Sequence, residues 1–149
     1  MYPHRLVSSA FVLVALVLPI PSADALDDKG AKAVIDKFIG SQKIDGAQAS
    51  AGQHVIADLN GDGKPDLVLQ WDVLGPTWSY SKMSILLDQG RTYRALTTDL
   101  TGQFEKLSVN ATTIVVDTKT LGPKDPRCCP TVKKRATYQW AGGKLVMLK

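Results

Sequence analysis

From about Gln53 onward the apolar residues of this chain recur at every second position, and that period constrains the fold more than any other feature. Leu67, Leu69, Trp71 and Val73 alternate with Val68, Gln70 and Asp72. Such a run predicts a strand with one apolar and one mixed face. Met83, Ile85 and Leu87 predict another strand, and Gln89-Gly90 turns the chain into Thr92–Leu96. Phe104–Val109 and Thr112–Thr118 flank a short Asn110-Ala111 loop, and Val132–Trp140 and Lys144–Leu148 flank Gly142-Gly143. A Gly-Gly pair between two alternating runs is a strong hairpin signal.

One earlier segment has the helical period instead. Ala31, Val34, Ile35, Phe38 and Ile39 lie at the spacing of a single helix face. Asp27 and Asp28 suit its N-terminus, and Gly40 suits the residue after its end. The spacing therefore predicts a helix over residues 28–39. The sum is α+β and mainly β: an N-terminal helix followed by an antiparallel meander of about seven strands, with the helix over part of one face.

The first residues order themselves as charge, apolar run and small residues. His4 and Arg5 precede Leu6–Leu18, Pro19 to Pro21 break any helix, and Ala23-Asp24-Ala25 has the A-x-A form read by a signal peptidase. A bilayer span needs about 20 apolar residues, so this run is too short to be one. Residues 1–25 are expected to be a cleaved signal peptide, and 26–149 one secreted or periplasmic domain beginning at Leu26. No cysteine lies at the cleavage region, so no stable membrane anchor is expected. The net charge of +4 is scattered apart from Lys133-Lys134-Arg135, which is too short a run to imply a nucleic-acid partner.

The segment richest in chemistry runs from Asp58 to Asp66. Asp58, Asn60, Asp62 and Asp66 fall at positions 1, 3, 5 and 9 of a calcium-type loop, with Lys64 at position 7 to offer its carbonyl and Gly63 at the sharp turn of position 6. A hard cation takes six to eight oxygens, and three carboxylates supply the charge. Pro65 stiffens the exit from the loop. Leu69 stands at position 12, where an EF-hand has a bidentate glutamate, and alternating residues follow where it would have a helix. The loop therefore joins two strands, Val55–Ala57 and Leu67–Val73, and weak extracellular-type affinity for Ca²⁺ is expected. The alternative is a metal-free turn held by Asx hydrogen bonds.

Cys128 and Cys129 are the only cysteines, adjacent to one another between Pro126 and Pro130. An exported chain meets an oxidising compartment. The pair can be a vicinal disulfide, two free thiols, an interchain bridge or a soft-metal site, and a redox or copper-handling role attaches to the thiol forms. The vicinal bridge is the expectation, with a structural role. His54 is the one histidine after residue 25 and no nucleophile or acid is tied to it by pattern, so hydrolase chemistry is not expected. Trp71, Trp78, Tyr80, Tyr138 and Trp140 are candidates for an aromatic platform. Trp71 and Trp140 alternate with polar residues as core residues do, which leaves Trp78 and Tyr80, on a Gly-Pro loop, as the expected ligand-binding pair.

Ile56-Ala57-Asp58-Leu59-Asn60-Gly61-Asp62-Gly63 with Asp66 resembles the loops of the FG-GAP and VCBS repeat families, which are calcium loops on β-hairpins of secreted proteins. Together with Ile114–Asp117, Gly122-Pro123, Asp125-Pro126, Cys128-Cys129-Pro130-Thr131 and Tyr138-Gln139-Trp140, the layout is similar to uncharacterised VCBS-like periplasmic proteins and to the LppP/LprE-type lipoproteins. The resemblance implies an envelope location. The function expected from all of this is an exported, non-enzymatic binding or structural module. Its partner would be an envelope protein or a glycan, and its oligomeric state is left open.

Overall fold

A computed structural model describes residues 26–148; the expected signal peptide lies outside the described residues. A helix, α1 (Asp28–Ser41), leads into β1 (Gln48–Ala57), β2 (Asp66–Leu74), β3 (Ser79–Asp88) and β4 (Tyr93–Asp99), then β5 (Gln103–Asn110), β6 (Thr113–Thr120), β7 (Val132–Ala141) and β8 (Lys144–Leu148). Each set of four consecutive strands forms its own antiparallel sheet, ordered β1-β2-β3-β4 and β5-β6-β7-β8. The class is α+β, mainly β. The single meander of about seven strands is corrected to eight strands in two sheets. Hairpin periodicity reports neighbours along the chain, and a sheet boundary at the short Leu100–Gly102 link leaves that period unbroken.

The helix begins as its sequence requires. The Asp27 carboxylate accepts from the Gly30 amide at 2.7 Å, satisfying one of the free N–H groups of the first turn. It runs past Gly40 to Ser41, so Gly40 lies within the helix rather than after it. Its apolar stripe, Ala31 and Ile35 with Val34, Phe38 and Ile39 beside them, packs on Leu67, Leu69, Trp71, Val73 and Leu86 of the first sheet. Trp71 is fixed there by an edge-to-face contact with Phe38 and by its indole N–H, which donates to the Ser84 hydroxyl at 2.9 Å.

The opposite face of the same sheet meets the second sheet. Val68, Met83, Ile85 and Leu87 share a core with Leu107, Ile114, Val116, Tyr138 and Trp140. β2 is therefore buried on both faces, which explains why its mixed face is as inaccessible as its apolar one. Its polar residues are bonded. Gln70 donates to Asp72 at 2.8 Å, and Ser81 donates to the same carboxylate oxygen at 2.6 Å.

A bulge in β1 between Ala51 and His54 carries Gln53 toward the second sheet. There Gln53 accepts from the Leu107 amide at 2.8 Å, while its own amide donates to Gln70 at 3.3 Å. Gly52 is required at this place: a Cβ would stand 1.8 Å from the Gln70 side-chain oxygen.

Trp71→Ala should lower the unfolding free energy by about 3–5 kcal/mol, through cavity formation and loss of the helix contact. Trp78→Ala, at a side chain 46% exposed, should cost about 0.5–1 kcal/mol. Urea unfolding of the two variants measures the contrast as a shift in midpoint at constant slope.

Candidate functional site

The two sheets present loops at two opposite ends, and the candidate residues divide between them. At one end lies the β1–β2 loop. Its glycines have the backbone the turn needs, with φ of 75° at Gly61 and 80° at Gly63, a region that disfavours residues with a Cβ. Asp58 organises the turn: one carboxylate oxygen accepts from Gly61 at 2.7 Å and from Asp62 at 3.2 Å, and the other from Gly63 at 2.9 Å. Asn60 accepts from the Asp62 amide and Asp62 from the Lys64 amide, each at 2.9 Å. Leu59 points the other way and is fully buried in the core.

Asp66 differs from its neighbours. It is fully buried, and its two oxygens accept from the Leu59 amide at 3.0 Å and the Asp88 amide at 2.9 Å. Burial pushes its carboxyl above the ordinary aspartate value, the two amides oppose that, and the charges of Asp62 and Asp58 add to the rise. The loop thus gathers Asp58, Asn60 and Asp62 at its surface and turns Asp66 inward beneath them. Among the described residues no three His, Cys, Asp or Glu side chains converge as a ready-made metal cluster. The donor set is nonetheless of the right chemical kind, since each carboxylate oxygen that accepts one amide has a second acceptor site. None of the ion pairs among the described residues involves Asp58, Asp62 or Asp66. The β3–β4, β5–β6 and β7–β8 turns stand around this loop, and together they enclose an open groove of about 800 Å³ that Arg94 and Asp88 also line.

The other end holds the cysteines and the aromatic pair. Cys128 and Cys129 are joined to one another, with Cα atoms 3.8 Å apart. The turn that carries them is held by Asp125, whose carboxylate accepts from the amides of Gly122 and Thr131, both at 2.7 Å, and from the Thr131 hydroxyl. These amides hold the Asp125 carboxyl below the ordinary aspartate value. Sequence reasoning did not single out Asp125 as an organiser; an aspartate ahead of proline in a Gly-Pro-rich turn is the signal that marks it.

Trp78 and Tyr80 are both exposed and stack at 5.7 Å between ring centroids, and the Lys82 ammonium lies 5.3 Å from the Tyr80 ring centre. They sit on the β2–β3 hairpin, at the end away from the Asp58–Asp66 loop. Trp71, Tyr138 and Trp140 are buried and form no platform. The β2–β3 hairpin borders a groove of about 660 Å³ with Asp72, Ser81, Phe104, Arg127 and Cys128, while the Tyr80 ring lies on the other face of β3, across from Val73 and beside Lys82. The structure therefore brings together the cysteine turn and the aromatic hairpin, two features that the sequence separates by some 50 residues.

A family model for the LppP/LprE lipoproteins matches residues 64–143, more than half of the chain. The chain belongs to the LppP/LprE lipoprotein family. The match begins inside the β1–β2 loop and runs to the β7–β8 turn, so it covers Asp66, the aromatic hairpin and the whole cysteine turn of this LppP/LprE family member. No curated protein and no solved structure matches the chain. A lipoprotein family points to an envelope-associated protein, and among the described residues no helix is long and apolar enough to cross a membrane.

Two predictions follow from the cysteine end. Asp125, with its depressed folded value, contributes stability above the ordinary aspartate pKa, and that contribution is lost as pH falls through the folded value. An NMR titration should place its midpoint below that of an exposed aspartate, with the Gly122 and Thr131 amides shifting in step; Asp125→Asn should remove the step. Replacing Cys128 and Cys129 by serine should lower the unfolding free energy by less than about 2 kcal/mol, because the closed loop is minimal. Thiol labelling of denatured, unreduced protein should find no reactive thiol, whereas two thiols per chain would favour a redox or copper role and a reducible dimer an interchain bridge.

Proposed function

We propose that this family member is an exported, non-enzymatic binding module of the bacterial envelope. Its β1–β2 loop would take Ca²⁺, and the groove at its opposite end would take the ligand. The observation that carries the calcium reading is the set of carboxylates at Asp58, Asp62 and Asp66, which repel one another and lack an ion-paired cation. A divalent cation relieves that repulsion, and the chemistry of the loop suits a hard one. Asp58, Asn60, Asp62, Asp66 and the Lys64 carbonyl would hold it. The similarity of the loop to those of FG-GAP and VCBS repeats belongs to the same reading.

The ligand reading rests on the β2–β3 hairpin and the groove beside it, where Leu74 and Phe104 stand among the polar groups of Asp72, Ser81, Lys119 and Arg127. The exposed Trp78–Tyr80 pair, on the other face of the same hairpin, offers flat apolar surface with a polar hydroxyl, which suits a sugar ring. An envelope glycan is therefore the proposed ligand class, and Ca²⁺ at the far end would act on stability.

Melting of the protein with and without calcium tests the metal part. Binding to the folded state alone should raise stability by about 2.7 kcal/mol at 100-fold saturation, and Asp62→Ala should abolish the gain. Equal melting temperatures for wild type and variant at every calcium concentration would leave a metal-free turn. Glycan-array binding that is lost in Trp78→Ala, with no more than the small fall in melting temperature expected of that variant, tests the aromatic hairpin.

A further inference from the structure

The second sheet has a face that nothing covers. The first sheet is shielded by α1 on one side and by the second sheet on the other, whereas the outward residues of β5–β8 stand open. Cross-strand register places them in rows. Lys106, Asp117 and Arg135 form one row, and Lys119 and Lys133 stand directly opposite each other in the next. Lys144 projects from the same face across from Ala141.

Two acids partly offset these five cations: Asp117 pairs with Arg135, and Glu105 pairs with Lys119. The face keeps a surplus of three positive charges out of +4 for the whole chain. Like charges directly opposite in a sheet are destabilising, and at Lys119–Lys133 the Glu105 carboxylate offsets that cost by pairing with Lys119, which leaves Lys133 as the free cation of the row among the described residues.

The free edge of the same face is apolar. Val146 and Leu148 of β8 lie across from Gln139 and Thr137 and are 46% and 44% exposed. The face is thus an open sheet with basic rows and an apolar margin, whereas the two grooves at the ends of the molecule are concave and polar-lined. We propose that this face docks on a membrane surface rich in anionic phospholipid, with the lysines and Arg135 at the headgroups and Val146 and Leu148 at the acyl boundary. Basic residues are drawn to such a surface by its negative potential, and buried apolar side chains add to that attraction. The inference is independent of calcium, and it shares one residue, Lys119, with the groove at the cysteine end.

Co-sedimentation of the exported protein with vesicles tests it. The protein should pellet with phosphatidylcholine vesicles that contain phosphatidylglycerol and stay in solution with phosphatidylcholine alone. Raising salt should weaken binding as screening shortens to a few ångströms. The double variant Lys133→Gln, Lys144→Gln should bind about 25-fold more weakly, roughly fivefold for each charge, and should melt no lower than wild type. Val146→Ser with Leu148→Ser should remove the binding that survives high salt. Equal pelleting with both kinds of vesicle would overturn the proposal. So would tighter binding to dextran sulfate than to the anionic vesicles, unaffected by the serine variants, which would make this a polysaccharide surface.

Discussion

Asp66 is a fully buried carboxylate at the first position of β2, and its two oxygens hold the amides of Leu59 and Asp88. A buried carboxylate is costly unless it is well bonded, and leaving one partner unmet costs more than the bond itself contributes. The bond to Leu59 seats the β1–β2 loop against the core, where the Leu59 side chain is buried in turn. The bond to Asp88 fixes the end of β3 beside the start of β2. One side chain thus joins the loop, the central strand and the neighbouring turn, and the geometry of the candidate calcium loop depends on it.

From that point the layers build outward. β2 carries Leu67, Leu69, Trp71 and Val73 toward the helix and Val68 toward the second sheet, so both cores meet on one strand. Gln53 ties the sheets together by accepting from the Leu107 amide, and Gln70 steadies it by accepting from the Gln53 backbone amide within the first sheet. Because consecutive hairpins alternate their turns between two ends, the acidic loop and the cysteine turn are held apart by the length of the strands. The acidic loop and the aromatic hairpin are thus kept at separate ends of the same scaffold.

Much of this was legible in the sequence where a single period dominates. The alternation of Leu67–Val73 and of Met83–Leu87, the Gly142-Gly143 hairpin and the α1 stripe each read directly into the observed elements. The first half of β1 did not, because Gln48-Ala49-Ser50-Ala51 is small and polar and forms a strand by pairing with Leu74 back to Trp71. Nor did the division into two sheets, which is a tertiary choice of partners rather than a local pattern. At the candidate site the loop residues were readable from spacing, since an Asp-Asn-Asp series acts over a few residues. That Asp66 turns inward was not, because its second partner, Asp88, lies on another hairpin. That the β2–β3 hairpin and the cysteine turn border one groove was hidden for the same reason.

On the proposed reading the acidic loop, seated by Asp66, takes a cation. Amide NMR spectra of ¹⁵N-labelled protein, recorded as calcium is added and read residue by residue, test it most directly. Saturable shifts are expected at Gly61, Asp62, Gly63 and Lys64 that pass through Asp66 to the Leu59 and Asp88 amides, with the cysteine turn unmoved. Amides of residues 58–66 that stay in place up to millimolar calcium would contradict it.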